Sequence, residues 1–171
     1  GKVKDGEIFD TNVVEDAKKI DLNLDEKPFI ICIGQEMVVE GLDKALEEKE
    51  IGKKYYIELT PKESFGERKR ELVQLVPLKS FTDKEVMPRA GMTLNLDNHL
   101  VRITSVSGGR VLVDFNNPLS GKNIVYEFII TRKISEDKEK IDSLLDYFLR
   151  KRIDFKIEDK KAIFETDKFL G

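Results

Sequence analysis

The stretch KPFIICIGQEMVVEG, residues 27–41, decides how the rest of the chain is read. Pro28 has no N–H to give a sheet and either opens a strand or sits at its edge, so Phe29, Ile30, Ile31, Cys32 and Ile33 read as a short strand ended by Gly34. From Gln35 the period changes. Val38, Val39, Leu42, Ala45 and Leu46 recur at helical spacing, Glu40, Asp43, Lys44, Glu47 and Glu48 take the other side, and Gly52 follows as a stop signal. The stretch holds no catalytic nucleophile, and a pocket built on it is greasy.

Upstream, GKVKDGEIFDTN places a Lys-Asp-Gly turn between short alternating segments and predicts a hairpin, with Phe9 and Asp10 at the end of its second arm. Residues 13–27 are polar with scattered aliphatics and read as a loop or flap with room for a helical turn. Downstream, KKYYIELT at residues 53–60 alternates Tyr55, Ile57 and Leu59 against Lys54, Tyr56 and Glu58, the pattern of a half-buried strand. Pro61 ends it. In the following turn, the loop aromatic Phe65 stands before Gly66, as residues that line a cleft often do.

Residues 67–115 form a second compositional unit, all β by pattern. It offers strands at 72–76 and 92–96, a short helix or turn at 78–83, and a hairpin whose arms, 100–106 and 111–115, flank the turn SGGR. The apolar strand at 124–131 has no sequential partner, so it is expected to return to the first unit, making the middle unit an insertion. From Ser135 a helix begins with Glu136, Asp137 and Glu139 near its start. It carries Ile141, Leu144, Leu145, Phe148 and Leu149 on one face, and Arg150, Lys151 and Arg152 close it where cations suit the dipole. Ile153, Phe155 and Ile157, then Ala162 and Phe164, flank a Glu158-Asp159-Lys160 turn. This last module is too small to stand alone and is expected to dock on the chain or on a second copy of it.

Composition excludes several classes. Charged residues make up 37% of 171, but 30 Lys and Arg nearly cancel 33 Asp and Glu, and a net charge of -3 lacks the basic face of a nucleic-acid platform. No apolar run approaches the ~20 residues of a membrane span, and no signal peptide is visible. The single Cys32 cannot form an intrachain disulfide, suits a reducing cytoplasm, and is read as packed in its apolar strand. No metal cluster, phosphate loop or nucleophile elbow is found. The lone His99 reads as a surface residue. No cofactor or metal is expected.

Taken in order, GKVKDGEIFDTN, PFIICIGQEMVVEGLDKALEEKEIGKK and IELTPKESFGER resemble the FKBP-type peptidyl-prolyl isomerases, whose pattern is TGxLxDGxxFDS, PFxFxxGxxxVIxGxxxAL, G(E/D)K and PPExAYG. VLVDFNNPLSGKNIVYEFII is similar to the SlyD branch, in which an insert-in-flap chaperone domain interrupts the fold and the chain re-enters through VDxNHPLAGxxLxF. The tail resembles the additional C-terminal module of long-type archaeal members. The resemblance implies an α+β fold: an FKBP-like antiparallel sheet curved around a short helix, residues 1–66 plus 116–134, with a mainly-β insert at 67–115 and a C-terminal αββ module at 135–171. It also implies a first strand ahead of Gly1.

The implied pocket is Phe9, Asp10, Phe29, Val38, Val39, Leu42, Phe65, Leu119 and Tyr126. Phe65 replaces the cleft tyrosine of AYG and so lacks its hydroxyl; Leu42 stands where Trp is common, and Asn117 replaces the His of NHPLAG. On this reading Phe9, Phe29, Tyr126 and Val39 hold a prolyl ring, the Val39 N–H binds a carbonyl, and Asp10 orients the cleft without moving a proton. In the insert, Leu72, Leu75, Leu78, Phe81, Met87, Met92 and Leu94 are candidates for binding unfolded chains, with Leu78, Phe81 and Met87 the most exposed. The expected partners are unfolded or proline-containing polypeptides and, through the C-terminal module, a second copy. The alternative is a holdase-type chaperone with a decayed pocket.

Overall fold

The computed structural model describes residues 1–21, 28–96, 99–150 and 153–164. The end of the expected flap at 22–27 and the cations Lys151 and Arg152 lie outside these residues. The fold is mixed α+β with antiparallel sheets. The described residues divide into two compact units, one of 1–10, 39–42 and 57–126, the other of 11–38, 43–56 and 127–164.

In the first unit the Lys-Asp-Gly turn forms, with Asp5 at φ 56° and the Gly6 N–H donating to Val3 O at 2.9 Å. Its arms are short: β1 is Lys2–Val3, and the second arm keeps only a bridge from Ile8 to Lys2. β2 spans Lys54–Leu59 and β7 spans Ile124–Ile129, in the order β1-β7-β2, with Lys2 opposite Val125 and Val3 opposite Ile124. The strand after the insertion therefore returns to the opening segment, as its missing sequential partner required. Ile124, Val125 and Leu59 are buried. Gly41 approaches Leu59 so closely that a Cβ would lie 2.7 Å from Leu59 Cδ2 and 2.8 Å from the Glu63 carbonyl.

Between β2 and β7 the same unit carries a four-stranded antiparallel sheet in the order β3-β6-β5-β4, made of β3 Val73–Pro77, β4 Thr93–Leu96, β5 His99–Ser107 and β6 Arg110–Asp114. Strict alternation puts Val101, Ile103, Val111 and Val113 on one face, where the short helix α3, Lys79–Thr82, lays Phe81 over them. Val76, Leu78, Val86, Leu94, Leu96 and Phe115 complete that core. His99 opens β5 and is exposed.

The second unit corrects the reading of 29–33, which form no strand. Their neighbourhood satisfies backbone donors with side chains rather than a neighbouring strand: Met37 Sδ accepts from the Cys32 N–H at 3.2 Å, and the buried Asp43 carboxylate accepts from Gly34 N–H at 3.0 Å and Glu36 N–H at 3.4 Å. Ile30, Ile33 and Cys32 are exposed, so Cys32 is not a packed core thiol. Gly34 does turn the chain, at φ 79°, but Glu36 follows at φ 55°, so the helix α2 begins at Glu40 and runs to Leu46, five residues after Gln35, where the period changes. The loop before it holds one short helix, α1, Val14–Lys19.

C-terminal to β7, α4 spans Asp137–Leu149 and ends at Arg150 in the left-handed conformation. The hairpin of β8, Phe155–Glu158, and β9, Lys161–Phe164, follows, with Phe155 and Phe164 rings 5.6 Å apart. Ile141, Leu144, Leu145, Phe148 and Leu149 of α4, with Ala162 and Phe164 of β9, line an open apolar groove.

Candidate active site

Three aromatic rings from distant parts of the sequence meet at Phe9. Phe65 lies 5.6 Å from it at 88°, and Tyr126 6.0 Å from it at 84°, both edge-to-face, an arrangement worth about 0.5–1.5 kcal/mol per pair beyond burial. Local structure brings each ring there. Phe9 and Asp10 both donate their N–H groups to the Gly1 carbonyl, at 3.1 and 3.3 Å, while Gly1 N donates back to Asp10 O at 2.7 Å. Phe65 follows a one-turn helix at Pro61–Glu63 that is closed by a capping box: the Thr60 hydroxyl and N–H both donate to the Glu63 carboxylate, at 2.6 and 2.9 Å. Ser120 Oγ then donates to Phe65 O at 2.9 Å, and Gly121 N–H to Gly66 O at 2.9 Å, tying the re-entry loop to the turn. Tyr126 is the third residue of β7.

Burial, and then the negative charge of Asp10, push the Tyr126 phenol up to about 12. Asp10 itself is exposed. Val39, Leu42 and Leu119 are half-buried members of the same unit. Phe29 and Val38 belong to the other unit, where Phe29 is 60% exposed and its ring lies 6.2 Å from Tyr147. Among the described residues no group of His, Cys, Asp and Glu is arranged to hold a metal ion.

At the base of the insert, a polar clasp joins the two chain segments that enter and leave it, and sequence reading missed it. The buried Asn116 amide pairs with the Lys69 backbone in both directions, accepting from its N–H at 2.8 Å and donating to its carbonyl at 2.9 Å. The buried Asp114 carboxylate accepts from Asn116 Nδ2 at 2.7 Å, from Asn116 N–H at 3.0 Å and from the Arg68 guanidinium. The available signal was Asp-Phe-Asn directly after an apolar strand, since short polar side chains there bond to nearby backbone.

The insert's own candidates divide by face. Leu75 (61%) and Met87 (71%) are exposed, Met92 is exposed to a lesser degree, and Leu72, Leu78 and Leu94 are half-buried. Phe81 is a correction: it is 3% exposed, because the Val86 N–H bonds to its carbonyl at 3.0 Å and the turn closes over the ring. A unit of this size has few large apolar groups and needs that ring for its core. Leu100, 55% exposed, was missed; with Val101 and Ile103 inward, alternation along β5 places it outward.

A family model described as FKBP-type peptidyl-prolyl cis-trans isomerase matches residues 1–80, and one described as the FKBP26 IF domain matches residues 74–119. The chain belongs to the FKBP-type peptidyl-prolyl cis-trans isomerase family. It is 28% identical over 125 residues to the short-type peptidyl-prolyl cis-trans isomerase of Methanocaldococcus jannaschii, covering 71% of this chain and 80% of that one. It is also similar to two SlyD proteins. The Vibrio cholerae one is 30% identical over 131 residues, 73% of this chain but 65% of the relative, and the Helicobacter pylori one is 28% identical over 145 residues, 80% and 77%. The ring cluster falls partly inside the isomerase match, at Phe9 and Phe65, and the β3–β6 sheet lies largely within the IF match. No helix among the described residues is long and apolar enough to cross a membrane.

Proposed function

We propose that this FKBP-family chain accelerates rotation about X–Pro peptide bonds at the Phe9, Phe65 and Tyr126 cluster, and that the inserted sheet holds unfolded segments on its outward apolar face. The observation that carries the reading is Phe9 flanked edge-on by two rings, with the exposed Asp10 beside it in sequence. Twisting a peptide bond costs about 18–20 kcal/mol because resonance is lost, and an X–Pro bond isomerises over tens to hundreds of seconds. The twisted state separates less charge than the planar amide, so an aromatic cavity favours it relative to water. No proton need move. Each 1.4 kcal/mol of preferential stabilisation, roughly, gives tenfold in rate, so a few kcal/mol suffice.

Val39, Leu42 and Leu119, half-buried in the same unit, are further candidates for the apolar wall. The outward Leu75, Met87 and Leu100 are the groups available to an unfolded chain, Met being well suited to varied partners. These same groups favour a second reading, a holdase that binds without rotating. Proline-limited refolding of a model protein separates the two. The isomerase accelerates the slow phase at substoichiometric amounts; a holdase retards it, and that result rejects the catalytic reading. The apolar groove of α4 and β9, with Phe148 prominently exposed, supports a second copy as its partner, which sizing of the chain with and without residues 135–171 tests. The proposed location is the cytoplasm, where one unpaired exposed thiol stays reduced.

A further inference from the structure

We propose that the Tyr126 hydroxyl donates a hydrogen bond to a carbonyl of the bound X–Pro segment and is the polar anchor of an otherwise hydrocarbon ring cluster. The inference rests on the isomerase reading and assigns that site one specific donor atom. Phe9 and Phe65 present only carbon, so Tyr126 Oη is the sole polar substituent on the three rings. Among the described residues it has no hydrogen-bond partner. No buried side-chain oxygen or nitrogen among the described residues lacks a partner, so Tyr126 Oη reaches the surface, where an arriving acceptor can meet it.

The chemistry of the ligand matches. Proline has no N–H, so an X–Pro segment is richer in acceptors than in donors, and an ionised Asp10 can only accept. Tyr126 can donate. Burial and the Asp10 charge both disfavour its phenolate, which keeps the proton on Oη throughout the range in which a protein works. The ring is also held in place: a Cβ on Gly1 would lie 2.8 Å from Tyr126 Cε1 and 2.9 Å from Phe9 Cζ, so the Gly1 backbone closes directly on both ring edges. A fixed ring presents its hydroxyl without an ordering cost on binding.

A carbonyl is present in both the planar and the twisted amide, so the contact acts as uniform binding and is read in KM rather than kcat. Tyr126→Phe deletes the hydroxyl and keeps the ring. The expected result is a KM for a proline tetrapeptide raised about five- to tenfold with kcat within about twofold, the size of one neutral hydrogen bond. Fluorescence polarisation of a labelled proline peptide should show the same loss of affinity, with an unchanged circular dichroism spectrum. Tyr126→Leu removes ring and hydroxyl together and calibrates the packing role. Equal peptide affinity for Tyr126→Phe and the unaltered chain, with loss only in Tyr126→Leu, overturns the proposal. The binding comparison decides this whether or not the chain turns over; peptide binding without acceleration of isomerisation overturns the isomerase reading by itself.

Discussion

The hydroxyl of Tyr147 in α4 donates a hydrogen bond to the backbone carbonyl of Met37, 3.1 Å away and 110 residues earlier in the chain. The same ring lies 6.2 Å from Phe29 and 5.0 Å from Phe148. The C-terminal helix is thereby fastened to the segment 28–38, which has no strand partner of its own. Tyr147→Phe removes one hydrogen bond and should lower stability by about 0.5–1.5 kcal/mol, whereas Tyr147→Ala also frees Phe29. Cys32, exposed in that segment, reports the difference: its labelling by a thiol reagent should quicken in the order unaltered chain, Phe variant, Ala variant. Equal labelling rates in all three would mean that α4 does not restrain the segment.

Asn116 makes a two-point contact with Lys69, and Asn116→Ala leaves the Lys69 N–H and carbonyl without it, together with a buried Asp114 carboxylate that has lost its Asn116 Nδ2 donor. The expected cost is about 2–4 kcal/mol, read as a lower midpoint in urea. Asn116→Asp is no rescue, since a second carboxylate would face Asp114. A midpoint within error of the unaltered chain would show the clasp to be dispensable.

Phe81 and Leu75 both look like surface candidates in sequence, and substitution should separate them. Phe81→Ala empties the centre of the insert's core and should cost about 3–5 kcal/mol. Leu75→Ser paired with Leu100→Ser should leave the melting temperature within a few degrees and weaken capture of an unfolded client, scored by suppression of its aggregation. Undiminished suppression by the double variant would move client binding away from that face.

Tyr126 should ionise only at high pH. Absorbance at alkaline pH should show one phenol with a midpoint near the value of about 12, absent in Tyr126→Phe. Asp10→Asn should lower that midpoint without restoring an ordinary one near 10, because burial is the larger cause. Between the unfolded and folded values the folded chain retains a proton that the unfolded chain has lost. Stability from this group is therefore complete below about pH 10 and falls as pH rises through the folded value, and Tyr126→Phe should flatten the curve there.

The insert was legible because its signals are local. Alternation of Val101 and Ile103, then Val111 and Val113, around a Gly-Gly turn leaves one register that buries them all. The return of β7 was legible by elimination. Phe29 to Ile33 were misread because five apolar residues in a row carry no record of whether a neighbouring strand exists, and here Met37 and Asp43 occupy the local donors instead. Phe81 was misassigned for a related reason: position beside a turn says nothing about which way a four-residue helix faces. In the candidate site, Phe9, Phe65 and Tyr126, each named from its own motif, come together, whereas Tyr147 has no motif, and its bond to a main-chain carbonyl leaves no pattern in side-chain chemistry.

The Asn116 strap has a mechanical corollary. A polypeptide tugged away from the inserted sheet loads the outgoing and incoming connections together, and the two amide bonds to Lys69 share that force side by side. Parallel fasteners yield in shear, not one after another like a zip, so the junction is stiff against traction. Being uncharged, the Asn116–Lys69 attachment holds equally in dilute buffer and in concentrated salt.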